Sequence, residues 1–138
     1  MEEGLVKMTP DREKARSMLK MAATTMEMLG QIDIARFPSN ATKEYYDMIR
    51  ELASVVLLLD GYKTVGEGTH KRLVEYLQAN YTDITGDEIA LIDNLRIKRN
   101  KIAYDGFFVK EDYIARKLPG IKAIIAKLDK IIGGKLFG

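Results

Sequence analysis

The chain has 138 residues, too few for two ordinary domains and enough for one with a buried core. Its 46% hydrophobic and 30% charged residues are those of a soluble globular protein, and a net charge of only +2 excludes a generally basic, histone-like character. With no cysteine and His70 as the single histidine, one chain cannot build a thiol nucleophile, a disulfide, a cysteine- or histidine-ligated metal cluster or a Ser-His-Asp triad, and no metal or cofactor is expected.

Met1–Lys7 carries acids and no apolar core of signal-peptide length. The longest apolar run, Ala53–Leu59 with Ser54 inside it, falls far below the roughly 20 residues that span a bilayer. The expectation is a cytoplasmic protein that makes no use of a membrane.

Thr9-Pro10 has the form of an N-cap followed by proline at the first helical position. Ala15, Met18, Leu19, Ala22, Met26 and Leu29 then recur at three- and four-residue steps, which predicts a helix ending near Gly30–Asp33. Ile34–Pro38 leads to a second helix, capped by Ser39 or Asn40 and running to Asp60, with Gly61 as its left-handed stop. Tyr45, Met48, Ile49, Leu52, Val55, Val56 and Leu59 form its buried side. Its end is apolar nearly all round, as in a central helix covered by several neighbours.

Gly61–Gly68 lacks the Lys-Ser/Thr ending of a P-loop and the strand before one, so it reads as a plain connection between helices. A short third helix runs from Thr69 to about Asn80 with Leu73, Val74 and Leu77 inward. Thr85-Gly86-Asp87-Glu88 is a capping box that opens a fourth helix, lined by Ile89, Ile92, Leu95, Ile102 and Ala103 and closed by Gly106. In the loop Asp105–Lys110, Phe107 and Phe108 are expected to fold back onto the bundle.

A fifth helix begins near Glu111, breaks at Leu118-Pro119-Gly120, resumes through Ile121, Ile124, Ile125, Leu128, Ile131 and Ile132, and stops at Gly133-Gly134. No segment alternates long enough to predict a strand. The sum is an all-α fold, one domain over residues 1–138, packed as an antiparallel four- to five-helix bundle.

The densest chemistry lies in Arg96-Ile97-Lys98-Arg99-Asn100-Lys101, which puts four cations into six positions near a helix C-terminus. Arg96, Arg99 and Asn100 are helical neighbours, and Asn100 shares a face with Tyr104. Arg99 falls between Leu95 and Ile102 on the core side, where a guanidinium costs free energy unless a carboxylate, phosphate or carbonyl meets it. One reading is that these cations only complement the helix dipole, for about 0.3–1 kcal/mol each. The other is that an arginine fork, an amide and a phenol converge to hold a phosphate and a base.

Tyr45-Tyr46, flanked by Glu44 and Asp47, is the second candidate. Adjacent helical positions diverge by about 100°, so one tyrosine packs in the core and the other can look toward a groove or partner. Glu44, Asp47 and Glu51 are the acids able to reach Arg99 across a helix pair. His70, beside Thr69 and Lys71, reads as a solvated surface histidine.

At these residues the sequence resembles the HEPN family of small helical bundles. The likeness rests on three segments in family order. They are Glu44-Tyr45-Tyr46 before the helix that ends Leu59-Asp60-Gly61-Tyr62, then Thr69-His70-Lys71-Arg72-Leu73-Val74, then Leu95–Tyr104 with its Arg-Asn-Lys-x-x-Tyr core. The resemblance implies a helical bundle acting as a homodimer on RNA or a nucleotide, with a small nucleotidyltransferase as partner in a toxin–antitoxin-like pair.

Active members look like metal-independent ribonucleases whose motif is an arginine, a polar residue and a histidine. Arg99 takes the arginine's place, Asn100 the polar residue's, and Tyr104 stands at the histidine's position. Tyrosine's reference pKa of about 10, against about 6.5 for histidine, makes it a poor base at neutral pH. The resemblance therefore implies binding through Arg96, Arg99, Asn100, Tyr104, Tyr45 and Glu44 more directly than cleavage by Arg99, Asn100 and Tyr104. An active endoribonuclease, with Tyr104 or His70 in the histidine's role, and a non-catalytic helical adaptor are the alternatives.

Overall fold

The computed structural model describes residues 4–138; the acidic start read at Met1–Glu3 lies outside them. In chain order the elements are β1 (Leu5–Lys7), α1 (Arg12–Gly30), α2 (Pro38–Asp60), β2 (Tyr62–Thr64), α3 (Thr69–Asn80), α4 (Gly86–Asp105) and α5 (Glu111–Phe137). The fold is an all-α bundle. Its axis is α2, which packs against α1, α3, α4 and α5. That is why the second half of α2 is apolar nearly all round, and the helix buries Tyr45, Tyr46, Met48, Ile49, Leu52 and the run Val55–Leu58. The facing stripe of α5, Ile114, Ile121, Ile124, Ile125, Leu128 and Ile132, is buried against the same core.

Several boundaries follow the sequence and several do not. The α4 capping box forms, with Glu88 N donating to Thr85 Oγ1 at 3.1 Å and Thr85 N donating to Glu88 Oε1 at 2.9 Å. Gly61 ends α2 at φ 88°, and a Cβ there would meet the Met8 carbonyl oxygen at 3.1 Å, so backbone shape and space both call for glycine. The first helix, however, is capped by Asp11, whose carboxylate accepts from Lys14 N at 2.9 Å, and not by Thr9. Neither Ser39 nor Asn40 caps α2. Phe37 holds that position, and Ser39 Oγ instead accepts from Val109 N at 2.9 Å, tying down the α4–α5 loop.

Pro119 does not interrupt α5, nor do Gly133 and Gly134 end it; the helix is continuous to Phe137. Buried Ile121, Ile124 and Leu136 on either side outweigh the local cost of proline and glycine. In the preceding loop it is Val109 that folds inward, whereas Phe107 and Phe108 are exposed. At the end of α4 Ala103 is exposed too, because nothing covers that last turn.

The two strands were not expected. They pair antiparallel with Leu5 opposite Thr64 and Lys7 opposite Tyr62, and at three residues each they are too short to carry a period-two signal. Gly61–Gly68 is thus more than a connection.

Where α2 ends, Asp60 gathers donors from elsewhere in the chain. Tyr76 OH donates to its carboxylate at 2.7 Å, and Tyr81 OH and Lys135 Nζ donate as well. Burial pushes the Asp60 carboxyl upward, but the bonds from Lys135, Tyr81 and Tyr76 outweigh it and hold its pKa below the usual value. Among the described residues no helix is long and apolar enough to cross a membrane.

Candidate functional site

The capping box fixes the start of α4, and Ile92 and Leu95 bury its inner face, so the register of Arg96–Tyr104 is set from the core outward. Arg99 points back to α2, where its Nε donates to Asp47 Oδ1 at 3.0 Å. Of the three acids considered, Asp47 is the one that arrives; Glu44 is one helical turn away and makes no ion pair with Arg99. The pair is not sealed, since the Arg99 side chain is 16% exposed and that of Asp47 21%.

Arg99 Nη1 donates to Tyr104 OH at 3.4 Å, a long contact, and its guanidinium carbon lies 5.8 Å from the Tyr104 ring centroid. Burial opposes the charge on Arg99, yet the Tyr104 hydroxyl and Asp47 raise its pKa above the ordinary value. One acid thus holds the Nε side of the Arg99 fork, and Nη1 faces an exposed phenol.

The remaining predicted residues divide. Arg96 turns to Asp93 on its own helix, with Nε and Nη2 at 3.0 and 2.9 Å from Oδ1. Asn100 is partly buried, and its amide has no hydrogen-bond partner among the described residues. Tyr104 is 75% exposed. Tyr45 is a correction. It is 3% exposed and Tyr46 1%, so neither ring looks into a groove or toward a partner. The expectation that one of them would be free fails because the bundle covers both of the α2 faces that carry them. Glu44, partly buried, forms no ion pair with the basic end of α4.

Two features were not anticipated. The first is a mixture of rings and cations where α4 gives way to the loop. Lys98 and Lys101 lie 5.6 and 5.7 Å from the Phe107 centroid, Lys98 lies 5.5 Å from that of Tyr113, and Phe108 is 83% exposed. The second is His70, which is not simply solvated. Its Nε2 accepts from Arg50 Nη1 at 3.2 Å, and its ring sits 5.9 Å from that of Tyr46.

Burial pushes the His70 pKa down; Arg50, Arg99 and Arg96 push the same way, against Asp47. Burial likewise raises the Tyr46 phenol to about 12. A weak signal for this was present in the sequence, since Tyr46 and Arg50 are four apart on one face of α2. The docking of α3 across that face was not. Among the described residues no group of three or more His, Cys, Asp or Glu side chains is placed to hold a metal ion.

No family model, curated protein or solved structure matches this chain.

Proposed function

We propose that the chain is an HEPN-like protein that binds single-stranded RNA or a nucleotide at the C-terminal end of α4. In this reading Arg99 and Arg96 meet phosphate oxygens, the Asn100 amide meets phosphate or a base edge, and Tyr104 offers a face for stacking. The observation that carries it is the exposure of two rings set against cations, Tyr104 beside Arg99 and Phe107 beside Lys98 and Lys101. Sites for unpaired strands combine a basic track with aromatic faces, each stacked base contributing about 1–3 kcal/mol.

Two copies related by a two-fold axis would bring both basic ends into one cleft and concentrate a charge that is small in one chain. That homodimer, and a small nucleotidyltransferase as partner in a toxin–antitoxin-like pair, belong to the same proposal. Cleavage is expected to be feeble, because a tyrosine stands where active members of that family carry a histidine.

Fluorescence anisotropy with a labelled single-stranded RNA tests the binding. Tyr104→Ala and Arg99→Ala should each weaken it by about tenfold, the equivalent of about 1.4 kcal/mol. Unchanged affinity in both variants would overturn the reading. One observation favours a second reading, an active metal-independent endoribonuclease: His70 shares the electrostatic neighbourhood of Arg99. RNA cleaved in EDTA by the native chain, and left intact by Arg99→Ala, would establish that alternative.

A further inference from the structure

Arg50 differs from the other partly buried arginines in what it touches. Arg96 and Arg99 each hold a carboxylate, and Arg72 reaches the carbonyl oxygens of Val65 and Glu67. Arg50 donates through Nη1 to the uncharged Nε2 of His70, and its Nε is buried with no hydrogen-bond partner. Among the described residues no carboxylate pairs with it. An unmade buried hydrogen bond costs free energy, and a desolvated cation without a counter-charge adds to that cost. The fold gains nothing visible in return, which is the pattern of a position kept for a ligand.

We propose that Arg50 and His70 form a phosphate-binding site between α2, α3 and α4, in which the imidazole takes up a proton as the phosphate binds. The inference goes beyond the binding surface at Tyr104 and does not rest on it.

The groups facing His70 fit an absent anion. From α2 come Tyr46, Asp47 and Arg50, and from α4 Arg96 and Arg99, whereas on α3 itself Lys71 turns to Glu75 and Arg72 to the carbonyls of Val65 and Glu67. Asp47 is engaged by Arg99, and Asp93 by Arg96, so three guanidinium groups share two carboxylates around a neutral ring. His70 also lies in the first turn of α3, whose cap is Gly68 with no side-chain hydrogen bond, so the positive end of that helix dipole is unmet by any side chain.

Because Nε2 accepts from Arg50, the ring proton of the neutral imidazole sits on Nδ1. A phosphate drawing the Arg50 fork to itself releases Nε2. That nitrogen can then bind a proton from solvent and donate to a phosphate oxygen, forming a charge-assisted bond while every atom is conserved. The sign of the linkage follows. The His70 pKa starts below its ordinary value and rises in the complex. Affinity is therefore greatest at low pH and declines as pH rises through the value in the complex.

His70 is the only histidine, so its Cε1–H resonance can be followed alone by NMR. The probe is sodium sulfate, a phosphate stand-in whose own charge is constant over the range, compared with sodium chloride at matched ionic strength. Sulfate should raise the His70 midpoint above that in chloride and bind about threefold or more tightly at pH about 5.5 than at about 7.5. Arg50→Met should abolish that rise.

Equal midpoints in the two salts would overturn the proposal. So would a rise that survives in Arg50→Met, which would mark general screening. A trinucleotide with and without a 5′-phosphate separates two sources: a rise confined to the phosphorylated form assigns a terminal phosphate, and equal rises assign the backbone diester. A sulfate response alongside RNA binding indifferent to Tyr104→Ala and Arg99→Ala would sink the proposed function and leave this site standing; the reverse pattern would do the opposite.

Discussion

At Asp60 three donors close on one carboxylate, whereas around His70 three arginines share two carboxylates and a neutral imidazole. Both clusters are partly buried, and both join α2 to α3. They differ in balance. Tyr76, Tyr81 and Lys135 leave Asp60 with no unmet charge and fasten the last turn of α5 to the end of α2. Arg50 keeps a buried N–H without a partner, and Arg99 keeps half its fork toward Tyr104. A satisfied polar network stabilises and specifies a fold, while an under-compensated one leaves interaction energy for something outside it. On the proposed reading the first cluster holds the fold together and the second is open to a ligand.

The largest expected effect tests the first half. Asp60→Ala leaves Lys135, Tyr76 and Tyr81 without their acceptor and should cost about 3 kcal/mol of stability in urea unfolding. The pH dependence adds a second mark. The Asp60 pKa is lowered in the fold, so its contribution is present above the unfolded value of about 3.9 and is lost as pH falls through the lower folded one. Asp60→Ala should lack that acid-side loss. A variant as stable as the native chain, with the same acid profile, would show the network to be incidental.

Arg50→Met tests the second half with a smaller effect of opposite sign. Removing a desolvated cation that no carboxylate meets, while keeping its apolar bulk, should leave stability unchanged or raise it by up to about 1 kcal/mol. A loss of the size expected for Asp60→Ala would mean that the fold depends on Arg50 after all, and the contrast between the clusters would collapse.

What the sequence revealed follows from how local each signal is. The apolar stripes of α1–α3, the capping box at Thr85 and the stop at Gly61 lie within a few residues, and each is realised. Asp47 was one of three acids within reach of Arg99, and helical spacing narrowed the choice no further. The failures depend on distant packing. Pro119, Gly133 and Gly134 look like breaks until the burial of Ile121, Ile124 and Leu136 on α2 is included. Tyr45 looks available until α2 is seen to be surrounded. Arg50 and His70 lie on different helices, and only the way α3 crosses α2 brings them to 3.2 Å. A one-dimensional pattern records which face of a helix is apolar but not which polar residue of a neighbour lands on its edge.

That crossing yields the smallest effect and the sharpest discrimination between the clusters. With the His70 pKa depressed in the fold, the unfolded chain binds a proton more readily than the native one. Above the unfolded value of about 6.5 neither state is protonated, and the residue adds no pH dependence. As pH falls below it the unfolded state is favoured, so native stability should decline gently toward the folded value and then level off. His70→Gln should remove this step and leave the acid-side loss from Asp60 untouched, because the two groups sit at opposite ends of α3. Sulfate should erase the same step in the native chain, since an anion that raises the His70 pKa brings the folded value toward the unfolded one. A step that persists in His70→Gln would belong to another group. A step that sulfate leaves in place would mean the three arginines repel the proton without attracting an anion, and the second cluster would then be as closed as the first.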